Sequence, residues 1–169
     1  KDLAKNIQKI IIMDFESDEQ LDELSWKCGT TYERTKEHAT SGQFSLKIEM
    51  YPKVTWPGFG KGIKKSWTGY DYLSINIFNP SPELIRLSYR IDDRRDNPPY
   101  ADRANGRLLI NPGANTITFN LKELKTSDGK RPLDLDKICS FLLFLHRPKE
   151  IVTLFLDDLT IFRVSKKSK

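Results

Sequence analysis

Two cysteines in 169 residues are too few for a disulfide framework. Cys28 and Cys139 either form one bond or stay as thiols, and their spacing does not decide which. No apolar run approaches the ~18–20 residues a membrane-spanning helix needs. The chain has no internal repeat, no low-complexity body and no internal linker. It carries no nucleophile motif, no zinc-ligand spacing and no phosphate-binding loop. A concentrated basic face is missing too. The formal net charge is +5, but Lys1, Lys5 and Lys9 stand against Asp2 at the start, and the last five residues hold three lysines. The body between is near neutral, which argues against nucleic acid as a partner. No secretory signal is visible and the chain starts at Lys1 rather than Met, so the expectation is a mature form or an excised piece of a larger protein. Helical stretches are scarce and short, at 18–25 and 133–137.

Strand signals fill the rest. Residues 44–50 alternate apolar and polar, as do 72–78, where Leu73, Ile75 and Ile77 share a face. In 84–92, Ile85, Leu87, Tyr89 and Ile91 face one way and Arg86, Ser88, Arg90 and Asp92 the other. Residues 115–121 and 152–163 are further strands, and 138–145 is apolar on both faces, as a central strand would be. Turn signals at Asn79-Pro80, Asn97-Pro98-Pro99, Asn111-Pro112-Gly113 and Asp128-Gly129 separate the runs. Many short strands with Pro/Gly turns predict an all-β chain, a jelly-roll β-sandwich of two antiparallel sheets. One domain over 9–164 suits the length, with an extension at 1–8 and a basic tail at 165–169.

The two ends carry matching acidic signatures. Ile10-Ile11-Ile12-Met13 leads into Asp14-Phe15-Glu16, and Thr153-Leu154-Phe155-Leu156 leads into Asp157-Asp158. With first and last strands side by side, Glu16 and Asp157 would face each other. Two close carboxylates repel unless a cation sits between them. Calcium, a hard cation that takes oxygen ligands, is one expectation; solvated residues at strand ends are the other.

The richest polar cluster runs from Arg90 through Asp92, Asp93, Arg94 and Arg95 into Tyr100, Asp102, Arg103 and Arg107. Long loops are often functional. Arg and Asp offer planar donors and acceptors, and Tyr100 a flat apolar surface with a polar tip. Sugars match that mixture of hydroxyls and C–H faces, although Arg–Asp pairs also tie long loops onto a sheet. Trp26 and Trp67 are expected in the core. Trp56 lies in a second long stretch, 52–66, as a sugar-stacking platform or a plug. His146 and Arg147 follow the apolar run and either line a groove or serve structure. Asp92 and Asp93 are neighbours on a strand, so their side chains point to opposite faces, a poor acid/base pair. No enzyme activity is expected.

Taken together, Asp14-Phe15-Glu16, residues 40–48, residues 67–73, residues 112–117 and Leu156-Asp157-Asp158-Leu159 resemble carbohydrate-binding-module domains of the galactose-binding-like jelly-roll superfamily. The stretch from Arg90 to Arg103 is similar to a subgroup found with glycoside hydrolases and VanZ-like bacterial proteins. The fold is also similar to that of the complex I intermediate-associated proteins, which act in assembly. The resemblance implies a non-catalytic module in a larger extracytoplasmic protein, bacterial and tethered to other domains. It also implies a structural calcium held by Glu16 and Asp157, with Asp14 a third side chain and carbonyls between Ser41 and Lys47 completing the shell. The alternative is a structural or protein-interaction module of the same fold. Candidate ligand contacts are Arg90, Asp92, Tyr100, Arg103, His146, Arg147 and Trp56. The surplus of arginines leans toward an acidic or sulfated oligosaccharide.

Overall fold

The computed structural model describes residues 6–165. In chain order the elements are β1 (Asn6–Met13), the single turn α1 (Glu19–Asp22), β2 (Leu24–Ser25), β3 (Thr30–Thr35), β4 (Ser45–Met50), β5 (Gly58–Gly62), β6 (Tyr72–Asn79), β7 (Ile85–Asp92), β8 (Ala104–Ile110), β9 (Gly113–Asn120), β10 (Ser140–Phe144) and β11 (Val152–Ser165). They form two sheets. One has the order β3-β4-β11-β6-β9, with β1 added on β11; the other runs β2-β5-β10-β7-β8. Every ladder is antiparallel. The all-β sandwich of two sheets is the expected architecture.

Alternation builds the core. Leu73, Ile75 and Ile77 of β6, with Leu46, Ile48 and Met50 of β4, are buried on one side. Leu87 and Ile91 of β7, with Phe141 and Leu143 of β10, meet them from the other sheet in one cluster. Each such side chain gains ~1.5–3 kcal/mol by leaving water. The first and last strands do pair, Ile10 opposite Ile161. A bulge in β11 between Asp157 and Thr160, with Asp158 at φ +52°, lets one long strand serve two neighbours. Residues 152–156 pair with β4, and the part from Leu159 onward pairs with β1.

Several expectations shift. β1 starts at Asn6, inside the stretch assigned to an extension, and β11 runs to Ser165. The rest of both flanks, including the lysines of the basic tail, lies outside the described residues. Residues 133–137 are turn, not helix. The stretch 52–66 holds a strand: β5 reads Gly-Phe-Gly-Lys-Gly, a composition with little intrinsic strand preference. It is held between β10 and β2 by pairing alone. Glycine is needed at position 58, where a Cβ would stand 2.2 Å from the Leu143 carbonyl oxygen. The loop after β7 ends sooner than expected, because β8 claims Ala104–Ile110. Both cysteines are free thiols. Cys139 Sγ donates toward the carbonyls of Asp92 and Arg94, 3.4 and 3.2 Å away.

Candidate ligand-binding groove

The outer face of the five-stranded sheet carries the site. Register places side chains in cross-strand rows. Leu142 of β10, Arg90 of β7 and Asn105 of β8 form one row; Phe144, Ser88 and Arg107 form the next. These rows lie in a groove of about 1120 Å³.

One wall is aromatic. Phe144 meets two indoles edge-on, Trp26 at 5.5 Å and Trp56 at 5.8 Å between ring centroids. His146 stacks on Trp56 at 4.4 Å with the rings 21° apart. Two backbone bonds fix this wall: Leu145 N donates to the Pro57 carbonyl at 2.9 Å and Arg147 N to that of Thr55 at 2.8 Å. They clamp the segment bearing Trp56 onto the exit of β10. Trp56 remains 45% exposed and Trp26 40%. Trp26 was expected in the core and is not there. It follows the two-residue strand β2 in a positive-φ conformation, φ +50°, which turns it out of the sheet. Trp67 is fully buried, as expected.

The other wall is polar. Arg90 grips Asp92 with both arms, Nε to Oδ1 at 2.8 Å and Nη2 to Oδ2 at 2.7 Å, and Nη2 also donates to Asn97 Oδ1 at 2.9 Å. Tyr100, on a 3-10 turn, is 63% exposed. The Arg103 guanidinium lies 5.7 Å from its ring centroid. Arg103 Nη1 reaches the Pro98 carbonyl only at 3.4 Å, and its Nε is buried with no hydrogen-bond partner. Burial first, then the nearby charge of Arg90, lower the affinity of Arg103 for its proton.

A network behind this wall fixes the loop. Asp93, with only 1% of its side chain exposed, takes Arg131 Nη1 at 2.6 Å and Nη2 at 3.0 Å, and the Asp134 amide at 2.8 Å. Burial pushes the Asp93 carboxyl up, but these bonds together outweigh it and hold it below the usual carboxylate range. Arg131 Nε also donates to Asp102 at 2.9 Å, and Arg94 pairs with the other oxygen of Asp102 at 2.6 Å. Tyr100 and Arg103 therefore stand on a braced loop.

Of the expected contacts, Arg90, Tyr100, Arg103, His146 and Trp56 meet in this one groove. Asp92 is buried beneath Arg90 and faces a second depression of about 480 Å³. That depression adjoins the first, sharing Trp26, Arg90 and Leu142 with it. Arg147 does not line either. Trp26, Phe144, Asn105 and Arg107 were not singled out as contacts. Arg107 was visible in the polar run, and only the missed strand β8 hid its place in the row beside Ser88.

The acidic ends converge on one loop. Glu16 Oε1 accepts from the amides of Gln43 and Phe44, at 2.9 and 2.8 Å. Asp157 Oδ2 accepts from the Thr40 and Ser41 amides, at 2.6 and 2.9 Å. Gly42 sits between, at φ +62°, where a Cβ would be 2.4 Å from the Glu16 carboxyl. Asp14 does not join them: its Oδ1 holds Gln20 Nε2 at 2.7 Å. Among the described residues no cluster of three or more His, Cys, Asp or Glu is placed to hold a metal ion. Glu16 and Asp157 remain as the two carboxylates on this loop. Burial pushes Asp157 up despite its amide bonds, and no cationic side chain among the described residues lies within 4.0 Å of it or of Glu16. Among the described residues, Glu16 Oε2 takes no hydrogen-bond donor. Both Asp157 oxygens accept from amides, Oδ1 from that of Asp158 at 2.7 Å, so Glu16 Oε2 is the carboxylate oxygen of the pair left open to a hard cation.

By sequence the chain matches no family profile and no curated protein. Its fold does have counterparts. It is similar to the family 11 carbohydrate-binding module from Clostridium thermocellum in complex with a β-1,3-1,4-mixed-linked tetrasaccharide, at 13% identity and TM-score 0.65, over 90% of this chain and 94% of that one. The chain has the carbohydrate-binding-module fold. The CBM22-1 xylan-binding domain from Paenibacillus barcinonensis Xyn10C matches 99% of the chain and is itself covered completely, at 15% identity and TM-score 0.56. An exo-β-agarase contains the same fold within a longer polypeptide: 94% of this chain matches 25% of that one, at 15% identity and TM-score 0.67.

Proposed function

We propose that this chain is a non-catalytic glycan-binding module, extracytoplasmic and tethered within a larger protein, and that its ligand lies in the groove. The observation that carries this reading is the meeting of stacking rings and planar polar groups in one cleft. Trp26, Trp56 and Tyr100 offer flat apolar surface to the C–H faces of sugar rings. Arg103, Asn105 and Arg107 offer donors to hydroxyls. The fold's occurrence in carbohydrate-binding modules and inside an agarase supports the reading, as does the commitment of Asp92 and Asp93 to arginines rather than to a shared open space. The rings flank the cleft instead of forming one flat row, so affinity is modest, with a Kd of roughly 0.05–1 mM.

Titration calorimetry against a panel of neutral and acidic oligosaccharides tests it. Binding should appear for at least one glycan and fall when Trp56 becomes alanine. Silence across the panel sinks the proposal. It would promote the second reading, a protein-interaction module, which draws on the locking of Arg90 by Asp92 and Asn97.

Glu16 and Asp157 would hold a structural calcium ion with carbonyl oxygens of the 41–47 segment. Its role would be to tie the ends of β1 and β11 to that loop. Calcium at ~100 times its Kd would stabilise the fold by roughly 2.7 kcal/mol. Melting temperatures in calcium and in chelator should differ, and Asp157→Ala should abolish the difference; equal values refute the ion.

A further inference from the structure

The charges of the groove are lopsided once internal pairing is removed. Around the Tyr100 loop every buried or partly buried acid is spent within the scaffold. Asp92 is taken by Arg90, Asp93 by Arg131, and Asp102 by Arg131 and Arg94. The cations facing the cleft are not matched in this way. Among the described residues, Arg86, Arg103, Arg107 and Lys149 line the groove with no carboxylate within 4.0 Å. The acids in the lining, Glu83 and Glu150, belong to the segments just before β7 and after β10. Arg103 sits toward the opposite end, just before Ala104, which faces Ile91 near the end of β7, and Arg107 lies across from Ser88.

Arg103 is the most telling. A guanidinium has five N–H donors. Here one of them, on Nε, is buried without a partner, and another makes only a long contact to Pro98. A desolvated donor on a charged group is costly to leave unmade. The braced loop and the Tyr100 ring nevertheless hold Arg103 beside a second guanidinium, that of Arg90, and burial and Arg90 both work against its charge. The group that relieves all of this is an anion with planar or tetrahedral oxygens.

The second depression extends the pattern. It lies past the Trp26, Arg90 and Leu142 boundary and is lined by Arg94 and Arg95. Arg95 is exposed and has no carboxylate within 4.0 Å among the described residues. A chain lying across the boundary would meet unpaired arginine on both sides of it.

We infer that the ligand is a segment of an acidic polysaccharide, with one carboxylate or sulfate on Arg103 and Arg107 and a later one near Arg95. This rests on the groove being the glycan site. Recognition is then of chain interior, and it strengthens with length.

The test pairs each acid with its neutral twin. Oligogalacturonides are compared with their methyl esters, and a sulfated galactan oligosaccharide with its desulfated form, at two salt concentrations. The acidic member of at least one pair should bind tenfold or more tightly than its twin, and should weaken as salt rises. Whether the carboxylate or the sulfate pair responds identifies the anion. Arg103→Ala should remove that preference, and Arg103→Lys, which keeps the charge but loses the fork, should restore part of it. Arg95→Ala should weaken long oligomers several-fold and leave disaccharides unchanged. Equal binding of acidic and neutral twins, or acidic binding indifferent to both Arg103→Ala and Arg107→Ala, overturns the inference. If neutral oligosaccharides still bind and Trp56→Ala abolishes that binding, the groove survives as a neutral-sugar site. If nothing binds, the glycan reading falls with it. Arg107 is exposed on β8, so its variant guards against loss of fold at Arg103.

Discussion

The outer faces of the two sheets are made of similar kinds of residue and treat them in opposite ways. On the six-stranded sheet the polar groups satisfy one another. Thr116 Oγ1 donates to Asn76 Oδ1 at 2.9 Å, Asn76 Nδ2 donates to Thr40 Oγ1 at 2.9 Å, and the Thr40 hydroxyl donates to Asp157. Lys47 lies between Glu33 and Glu49. On the five-stranded sheet the indoles stand open and Arg103 keeps an unanswered donor. A face that closes its own hydrogen bonds has little left to offer a sugar. A face that leaves them open carries a cost that a ligand can relieve.

The sharpest way to break this contrast is to release the loop that holds the open face. Asp93→Ala leaves the Arg131 guanidinium facing a buried void. It should cost about 3 kcal/mol, the low end for breaking a buried pair because Arg131 is itself partly exposed to water. Urea unfolding measures the loss, and glycan binding should fall with it as Tyr100 and Arg103 drift. Unchanged stability would mean the network is ornamental.

A smaller effect separates the faces directly. Trp56→Ala should weaken glycan binding by about 1–2 kcal/mol, roughly tenfold, while stability moves by less than ~1 kcal/mol. Thr116→Ala on the closed face should do the reverse, losing about 0.5–1.5 kcal/mol of stability with no change in binding. Parallel calorimetry and unfolding of the two variants decide it, and a binding loss in Thr116→Ala would contradict the assignment of faces.

The subtlest test is pH, because two buried carboxylates, Asp93 and Asp157, are shifted in opposite directions. Asp93 is held below its unfolded value of ~3.9, so its stabilisation is complete above that pH and is lost as the solution is acidified through its folded pKa. Asp157 is raised by burial, so its ionised form costs the native state stability above its folded pKa, and acid relieves the cost. In chelator, Asp93→Asn should flatten the loss of stability between about pH 5 and 3, and Asp157→Asn should steepen it. Matching slopes would refute both assignments.

The two sheets also differ in how plainly the sequence shows them. β4, β6 and β11 are legible because alternation is a direct consequence of one buried face, and the first and last strands pair as they often do in sandwich domains. β5 and β8 were not. Glycines at 58, 60 and 62 carry no alternation to read, and β8 follows the run of charge with Asn105, Gly106 and Arg107 breaking any apolar alternation. The same holds for the site. Arg90, Tyr100 and Arg103 declared themselves by chemistry, and Trp56 by its loop. Trp26 did not, because whether an indole beside a short strand turns in or out depends on one backbone angle. Asp14 entered only as a third side chain beside Glu16 and Asp157, and Gln20 of α1 takes its carboxylate instead.

The pairing of Asn6 with Ser165 has a mechanical consequence. Tension drawn between these two residues would load the β1–β11 ladder at its end, so its hydrogen bonds would part in succession, like a zip, and not all at once in shear. The bulge at Asp157 and Asp158 is where that opening would stop following β1. Beyond it the load would pass to the loop held by Glu16, Asp157 and the amides between them, which makes that small knot of oxygens the domain's strain relief.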